Sequence, residues 1–423
     1  MTKIYIETAG CALNIADSEQ MAGELAKADF KIIDNIEDAD IVIFNTCTVK
    51  SPTEDTFFNR LKQIEKEYPY KIIIVAGCIA QTATKKLKKY PLVGTREINN
   101  IVQVVEEALN DNIIKSLSLK TNPELNLARL RKNNYISIIP ISRGCLGNCT
   151  YCKTKQARGR LISYSIETIV EEVKSSLKDN AQEIWLTSQD TGCYGFDIKT
   201  NLAELIKEIL KINAQFKIRI GMMNPNHLIT IKDQLLPLFN DPRLFKFLHL
   251  PIQSANNEIL QKMNRNYTIE DVRKLFDEIR EKVPRITLST DIIVGFPGET
   301  ERQYWDTMDF IRAYSPECLN ISKYWARPET EAKKMKQLPI DTIQHRSKIL
   351  TDIKKNVVKI KNEQWLGWEG EIIIDEKGKN DNQFIGRNDW YKQIVVEGNF
   401  KFGQKVKVKI NKFDTFTLYG KLI

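Results

Sequence analysis

Histidine is scarce: His227, His249 and His345 are the three in 423 residues. Imidazole acid–base catalysis and histidine-ligated zinc therefore have little to draw on. No run of about eighteen apolar residues occurs, so no membrane span is expected. The opening Met-Thr-Lys-Ile-Tyr-Ile reads as a strand and not as a secretory leader, so the expected compartment is the cytoplasm. Eight cysteines do not make a disulfide scaffold in a chain this long. Outside oxidising compartments such cysteines more often bind metal or react. What is present is an ordinary globular composition, 42% hydrophobic and 28% charged, long enough for two or three domains. The net charge of +9 suits a polyanionic partner without requiring one. Nothing suggests an obligate dimer, and a monomer is expected.

The densest chemistry lies in Arg143-Gly144-Cys145-Leu146-Gly147-Asn148-Cys149-Thr150-Tyr151-Cys152. A loop with this cysteine spacing can turn three thiolates toward one centre. A structural zinc site takes four protein ligands, and no histidine stands nearby to complete a set. Three thiolates suit an iron–sulfur cube with one open iron, which can chelate a small molecule such as S-adenosylmethionine. Three buried apolar cysteines would be the plainer explanation. A Gly/Asn-rich polar stretch reads as a loop over a site, not as packing. Cys145, Cys149 and Cys152 resemble the three-cysteine motif of the radical SAM superfamily, with Tyr151 at the aromatic position near the cofactor's adenine. Lys153-Thr154-Lys155-Gln156-Ala157-Arg158-Gly159, then Ser163-Tyr164, resemble the archaeal and eukaryotic methylthiotransferases that act on N6-threonylcarbamoyladenosine in tRNA.

Residues 1–112 read as a first domain. Strand patterns at Lys3–Thr8, Ile41–Phe44 and Ile72–Val75 alternate with helical ones, the first helix opening at Asp17, and this predicts a parallel sheet. Cys11, Cys47 and Cys78 each follow a strand, so the sheet would carry all three on one rim. A small apolar residue is common after one strand; three such cysteines favour a second metal cluster. The domain resembles the amino-terminal methylthiotransferase domain, which carries an auxiliary cluster and whose pattern includes Asn45. Gly94-Thr95-Arg96-Glu97 is expected at the same rim.

Residues 113–134, with Pro123, read as a linker. Over 135–360, six strand patterns alternate with helices and predict a partial (βα)6 barrel with its active side at the strand carboxyl ends. The segments there resemble the radical SAM cofactor wall. By that resemblance Ser188, Gln189 and Asp190 lie along the methionine part, and Asn224, His249, Gln253, Ile293 and Gly295 complete the wall. Glycine allows close backbone approach. His249 is given no proton-transfer role, and Cys193 and Cys318 no chemical role.

A basic stretch from Lys333 to Lys361 precedes residues 361–423, where five short strands separated by Gly/Asn/Asp turns suggest a small closed β-barrel. It resembles the TRAM domain, an RNA-binding module of OB-like form. Lys405, Lys407 and Lys409 alternate outward, and Arg387, Trp390 and Lys392 form a basic–aromatic group. With Arg158 these are the expected RNA contacts.

The resemblance spans the chain in the expected order. It implies two [4Fe–4S] clusters, S-adenosylmethionine, a low-potential donor of ferredoxin or flavodoxin type, and methylthiolation at C2 of the modified adenosine next to the anticodon. Two alternatives stand beside it. One is the same chemistry on isopentenyladenosine or a ribosomal-protein aspartate. The other is an RNA-binding protein whose clusters do not turn over.

Overall fold

The computed structural model describes residues 1–48, 51–121 and 124–423. Pro123 of the predicted linker lies outside the described residues.

The amino-terminal unit is a parallel sheet. Its strands are β1 (Lys3–Ala9), β2 (Lys31–Ile33), β3 (Ile41–Thr46), β4 (Ile72–Gly77), β5 (Leu92–Val93) and β6 (Lys115–Ser116), in the order β2-β1-β3-β4-β5-β6. β3 is buried throughout and β4 nearly so, which is why both read as unbroken apolar runs. Helices Ala12–Lys27 and Ile101–Leu109 pack Met21, Leu25, Val104 and Val105 on one face; helix Ser51–Glu67 packs Phe57, Leu61 and Ile64 on the other. β6 carries the sheet to Ser116, past the expected boundary at 112. A two-residue strand has no period to read. The first helix opens directly after Cys11, not at Asp17; Asp17 lies inside it, fully buried.

The central unit contains β7 (Ile136–Pro140), β8 (Ser142–Arg143), β9 (Ile162–Ser163), β10 (Glu183–Thr187), β11 (Lys217–Ile220), β12 (Phe247–His249), β13 (Thr287–Val294) and β14 (Cys318–Lys323). Six of these are parallel, in the orders β11-β10-β7 and β12-β13-β14, linked by a bridge between Ile218 and Leu244. Among the described residues no ladder joins β7 to β14, so the barrel is open, as expected. β8 and β9 pair antiparallel, Ser142 opposite Ser163 and Arg143 opposite Ile162, and close the base of the cysteine loop. The helix after β11 starts at Pro225, because proline at the first helical position has its φ preset and loses no hydrogen bond.

The carboxyl-terminal strands β15 (Glu369–Lys377), β16 (Gln383–Arg387), β17 (Gln393–Glu397), β18 (Lys405–Phe413) and β19 (Leu418–Leu422) form a closed barrel in the order β15-β16-β17-β19-β18. Ile372, Ile374, Val396, Val408 and Ile410 fill it. β19 starts only at Leu418, because Asp414 Oδ1 accepts the backbone N–H groups of Phe416 and Thr417 at 2.8 and 2.7 Å and holds them in a turn. Helix Ile340–Glu363 leads into this barrel. No helix among the described residues is long and apolar enough to cross a membrane.

Candidate metal and cofactor site

Register fixes the first set of thiols. Ala9, Thr46 and Gly77 are aligned across β1, β3 and β4, so Cys11, Cys47 and Cys78 leave the sheet at nearly one level. Gly77 turns the chain with φ of +83°, and a Cβ there would lie 2.3 Å from Asn45 Oδ1, which leaves room for glycine alone. Asn45 locks the rim: its Nδ2 donates to Asn14 O and Ser18 Oγ at 2.8 and 2.9 Å, and its Oδ1 accepts from Asn14 Nδ2 at 3.1 Å. A hydrogen bond from Cys47 pulls the Cys78 thiol down to about 6 against the opposing effect of burial, helped by the Arg158 guanidinium. Arg158 also feels Cys11. The Gly94–Glu97 loop reaches the same rim, Thr95 Oγ1 donating to Ala157 O at 2.7 Å and Arg96 Nε to Arg158 O at 3.1 Å.

The second set surrounds Gly147. A Cβ built there would stand 3.4 Å from Cys145 Sγ and 3.7 Å from Cys149 Sγ, and its N–H donates to Cys145 Sγ at 3.3 Å. Cys152 Sγ is held by Thr154, whose backbone N–H donates to it at 3.3 Å. Arg265 Nη1 donates to Cys149 Sγ at 3.4 Å. Burial pushes the Cys145 thiol up to about 12 and raises Cys152 as well. Such thiols ionise when a bound cation displaces the proton.

Spacing tests which metal group fits. A single zinc ion with Zn–S bonds of about 2.3 Å draws its sulfurs to about 3.8 Å from one another. In neither triplet do all three sulfurs lie within 4.8 Å of one another. The all-sulfur donor set at wider separation fits a multi-iron cluster. The one group of possible ligands that is drawn together so closely among the described residues is Asp190, Cys193 and His227, and hydrogen bonds account for it. Asp190 Oδ2 meets His227 Nδ1 at 2.7 Å, its Oδ1 accepts the N–H groups of Gly192 and Asn224 at 3.1 and 3.0 Å, and Cys193 donates to its carbonyl at 3.2 Å. Cys193 also receives the backbone N–H of Leu146. The cysteine that was given no role thus braces the second loop from behind.

Buried charges join the two sets, and the sequence reading missed them. Asp17 pairs with Arg143 and, at 3.2 Å, with Arg158. Arg327, after β14, donates to Thr48 O, lies 3.7 Å from Glu54, and interacts electrostatically with both Cys47 and Cys152. One cysteine of each triplet therefore lies within electrostatic reach of the same guanidinium. A cavity of about 320 Å³ opens on the second set, lined by Cys145, Cys149, Cys152, Lys155, Gln156 and Glu329. A cavity of about 380 Å³ at the amino end of β4, lined by Tyr68, Lys71 and Tyr90, holds no cysteine.

Most of the expected cofactor wall lies at strand carboxyl ends around the second loop. Ser188 and Asp190 are buried, and Gln189 Oε1 is a buried acceptor with no donor, which suits the amino group of a bound amino-acid cofactor. Asn224 Oδ1 accepts from Arg265 Nη2 at 2.7 Å. His249 Nε2 meets Asp291 Oδ2 at 3.0 Å. Gln253 sits at φ of +68°, bridged to Ile292. Tyr151 and Ile293 pack on the cluster containing Phe296 and Tyr324. At Gly295, with φ of +77°, an added Cβ would meet Ile343 at 2.5 Å, so its small size admits helix Ile340–Glu363.

The expected RNA contacts divide. Lys405, Lys407 and Lys409 are exposed, although Lys405 and Lys409 pair with Glu371 and Glu369 at 3.2 and 2.7 Å. Arg158 is buried in the rim described above. Arg387 is buried against Asp375, its guanidinium 4.3 Å from the Tyr391 ring centre, and Tyr391 packs on Phe245 and Phe247. Lys392 is buried beside Cys318 and Glu317. Trp390 is half-buried against Trp365, and its Nε1 donates to Pro284 O at 3.4 Å. These residues dock the small barrel on the central one. Their basic–aromatic composition is that of an interface, which composition cannot separate from an RNA surface.

Comparison with known proteins places this geometry. Residues 139–311 match the model of the Radical SAM superfamily, residues 3–94 that of Uncharacterized protein family UPF0004, and residues 366–423 that of the TRAM domain. The solved structure of the radical S-adenosylmethionine methyltransferase TsrM from Kitasatospora setae, with cobalamin and a [4Fe-4S] cluster bound, shares the fold. Its TM-score is 0.57 at 14% identity, over 78% of this chain and 77% of that one. The class is thus a radical SAM protein with an amino-terminal sheet domain and a TRAM barrel. The threonylcarbamoyladenosine tRNA methylthiotransferase of Homo sapiens is 38% identical over 96% of this chain and 72% of its own length. The probable enzymes of that name from Pyrococcus horikoshii and Pyrococcus abyssi are 40% and 42% identical, covering 100% and 96% of both chains in each pair. The chain belongs to this methylthiotransferase family.

Proposed function

We propose that the chain converts N6-threonylcarbamoyladenosine next to the tRNA anticodon to its 2-methylthio derivative, replacing C2–H by C–S–CH3. The observation that carries this reading is that the two cysteine triplets, one at the rim of the first sheet and one in the loop after β8, each have a member within electrostatic reach of Arg327. An adenine C2–H is neither acidic nor attached to a leaving group, so acid–base and nucleophilic catalysis have no purchase on it. Held on Cys145, Cys149 and Cys152 and on Cys11, Cys47 and Cys78, two [4Fe–4S] clusters together with S-adenosylmethionine supply the radical and sulfur chemistry.

The protein supplies binding and charge. Thiolate ligands bring negative charge into a buried region, and Arg158, Arg265 and Arg327 stand beside them to offset it. Gln189, Asn224 and Gln253 wall the cofactor, and Ile293 with Tyr151 gives it an apolar side. For RNA, exposed Lys405, Lys407 and Lys409 act with exposed Lys333, Lys334 and Lys336, which follow cavity-lining Glu331. The target base leaves its stack to reach the cavity. Work divides by unit: the sheet of residues 1–116 for sulfur, the central barrel for the cofactor, and residues 361–423 for tRNA. The protein acts as a monomer in the cytoplasm, with a ferredoxin- or flavodoxin-type donor.

The test is anaerobic reconstitution with iron and sulfide, then incubation with S-adenosylmethionine, strong reductant and threonylcarbamoylated tRNA. Nucleoside mass spectrometry should show the 2-methylthio product. Modification of isopentenyladenosine instead, or no release of deoxyadenosine, would refute the reading.

A further inference from the structure

The cavity on the second cysteine set has one wall residue with an unmet demand. Gln156 lies on the short helix Thr154–Arg158 and lines the cavity together with Cys145, Cys149 and Cys152. Its Nε2 donates to Glu329 O at 3.0 Å. A carbonyl oxygen accepts and never donates, so this bond fixes which end of the amide is the oxygen. That oxygen, Oε1, is buried and has no hydrogen-bond partner. Among the described residues lining the cavity, no other carries a buried side-chain polar atom without a partner. An acceptor left unpaired in this way is costly, and native structures hold few of them. The three thiols do not relieve it: as metal ligands they are thiolates with no proton to donate. Gln156 also stands where the central unit meets the first domain. The next two residues of its helix accept hydrogen bonds from Thr95 and Arg96. Glu329 lies two residues past Arg327, which donates to Thr48 O.

We infer that Gln156 determines substrate specificity: its Oε1 accepts a hydrogen bond from an N–H or O–H of the threonylcarbamoyl substituent on the target adenosine. This rests on the proposed function and deepens it. C2 and the N6 substituent belong to one purine ring. A base that brings C2 to the cysteine sets therefore brings the substituent's donors into the same cavity. The threonyl part carries an amide-like N–H and a hydroxyl. The last torsion of a glutamine is soft, so a small turn of the amide presents the shielded oxygen to the ligand. S-adenosylmethionine carries donors too, but its expected wall lies elsewhere. Gln189, Asn224 and Gln253 follow β10, β11 and β12, and none of them lines this cavity. Gln189 has its own unpaired oxygen there. An isopentenyl group brings no donor of its own and would leave the Gln156 oxygen unpaired. A site built around a hydrogen bond rejects in this way an analogue that lacks it.

The test uses the full-length reconstituted enzyme, with iron counted in each preparation, and three anticodon stem-loops. The target position carries unmodified adenosine, N6-threonylcarbamoyladenosine, or its analogue built on 2-aminobutyrate, which keeps the N–H groups and lacks the hydroxyl. Affinity is read by fluorescence anisotropy, alongside that for S-adenosylmethionine. The wild type should bind the threonylcarbamoyl RNA at least about tenfold tighter than the unmodified one. Gln156→Met, similar in length but without an acceptor, should cut this ratio at least about fivefold. Gln156→Glu, which keeps an acceptor, should retain most of it. A ratio taken on one preparation is insensitive to the fraction of active protein, so partial loss of cluster or fold does not mimic the result. Full wild-type affinity for the aminobutyrate analogue assigns the donor to the N–H; a loss matching that of Gln156→Met assigns it to the hydroxyl. If Gln156→Met keeps the wild-type ratio, the inference is wrong. If Gln156→Glu loses the ratio as fully as Gln156→Met, the residue acts through shape and not acceptance, and the inference fails. If Gln156→Met weakens S-adenosylmethionine binding with the RNA ratio unchanged, the oxygen serves the cofactor and the inference is likewise overturned. If the wild type does not prefer the threonylcarbamoyl RNA to the unmodified one, the proposed function itself fails, whatever Gln156 does.

Discussion

At the scale of single residues, the site is a set of thiols held by buried charges. Asp17 is the clearest case, a fully buried carboxylate between Arg143 and Arg158. Removing one member of a buried ion group leaves its partners uncompensated and costs about 3–5 kcal/mol. Asp17→Asn should lower the unfolding free energy of the apoprotein by that order in anaerobic urea titrations; a loss below about 1 kcal/mol would show the arginines to be compensated elsewhere. The six cysteines were legible because three of them share one loop and three follow strands. Asp17 was not. Read locally, it is an ordinary helix-opening aspartate, and its partner Arg143 lies 126 positions away. Nor could composition distinguish Arg387 and Lys392, which are buried in an interface, from solvent-facing cations such as Lys407.

At the scale of elements, length decided what the sequence disclosed. Central-barrel strands such as Ile136–Pro140 and Thr287–Val294 are mostly buried and long enough to show a pattern. β5, β6, β8 and β9 span two residues each and have no period, although β8 and β9 shape the cysteine loop. The seam between β10 and the small barrel carries a pH-dependent prediction. Burial pushes the Glu183 carboxyl up to about 7 and Asp375 up to about 6, with one guanidinium, Arg387, between them. Both groups hold a proton more tightly when folded than when unfolded. Their contribution is therefore complete below the ordinary carboxylate range and is lost as pH rises through about 6 to 7. Stability should fall between about pH 5 and 8 by on the order of 2 kcal/mol, and Glu183→Gln should flatten most of that slope. An equal slope in the variant would assign the pH dependence to other groups.

At the scale of the whole molecule, the account depends on three units meeting at one place. Gln20 of the first helix donates to Leu125 O at 2.8 Å, Arg96 reaches over the helix following the cysteine loop, and Arg327 extends from the end of the central barrel to Thr48. These long-range pairs bring two cysteine sets, far apart in sequence, within electrostatic reach of one guanidinium. Family matches cover all three units, and separate tasks for the two cysteine sets are a prediction. The most direct test is to count iron and sulfide in the anaerobically reconstituted wild type, in Cys47→Ala and in Cys152→Ala, and to assay each for deoxyadenosine and for methylthiolated nucleoside. Two clusters predict about eight iron atoms in the wild type and about four in each variant. Cys47→Ala should release deoxyadenosine without inserting sulfur, and Cys152→Ala should do neither. About four iron atoms in the wild type, or methylthiolation by Cys47→Ala, would contradict two clusters with separate tasks.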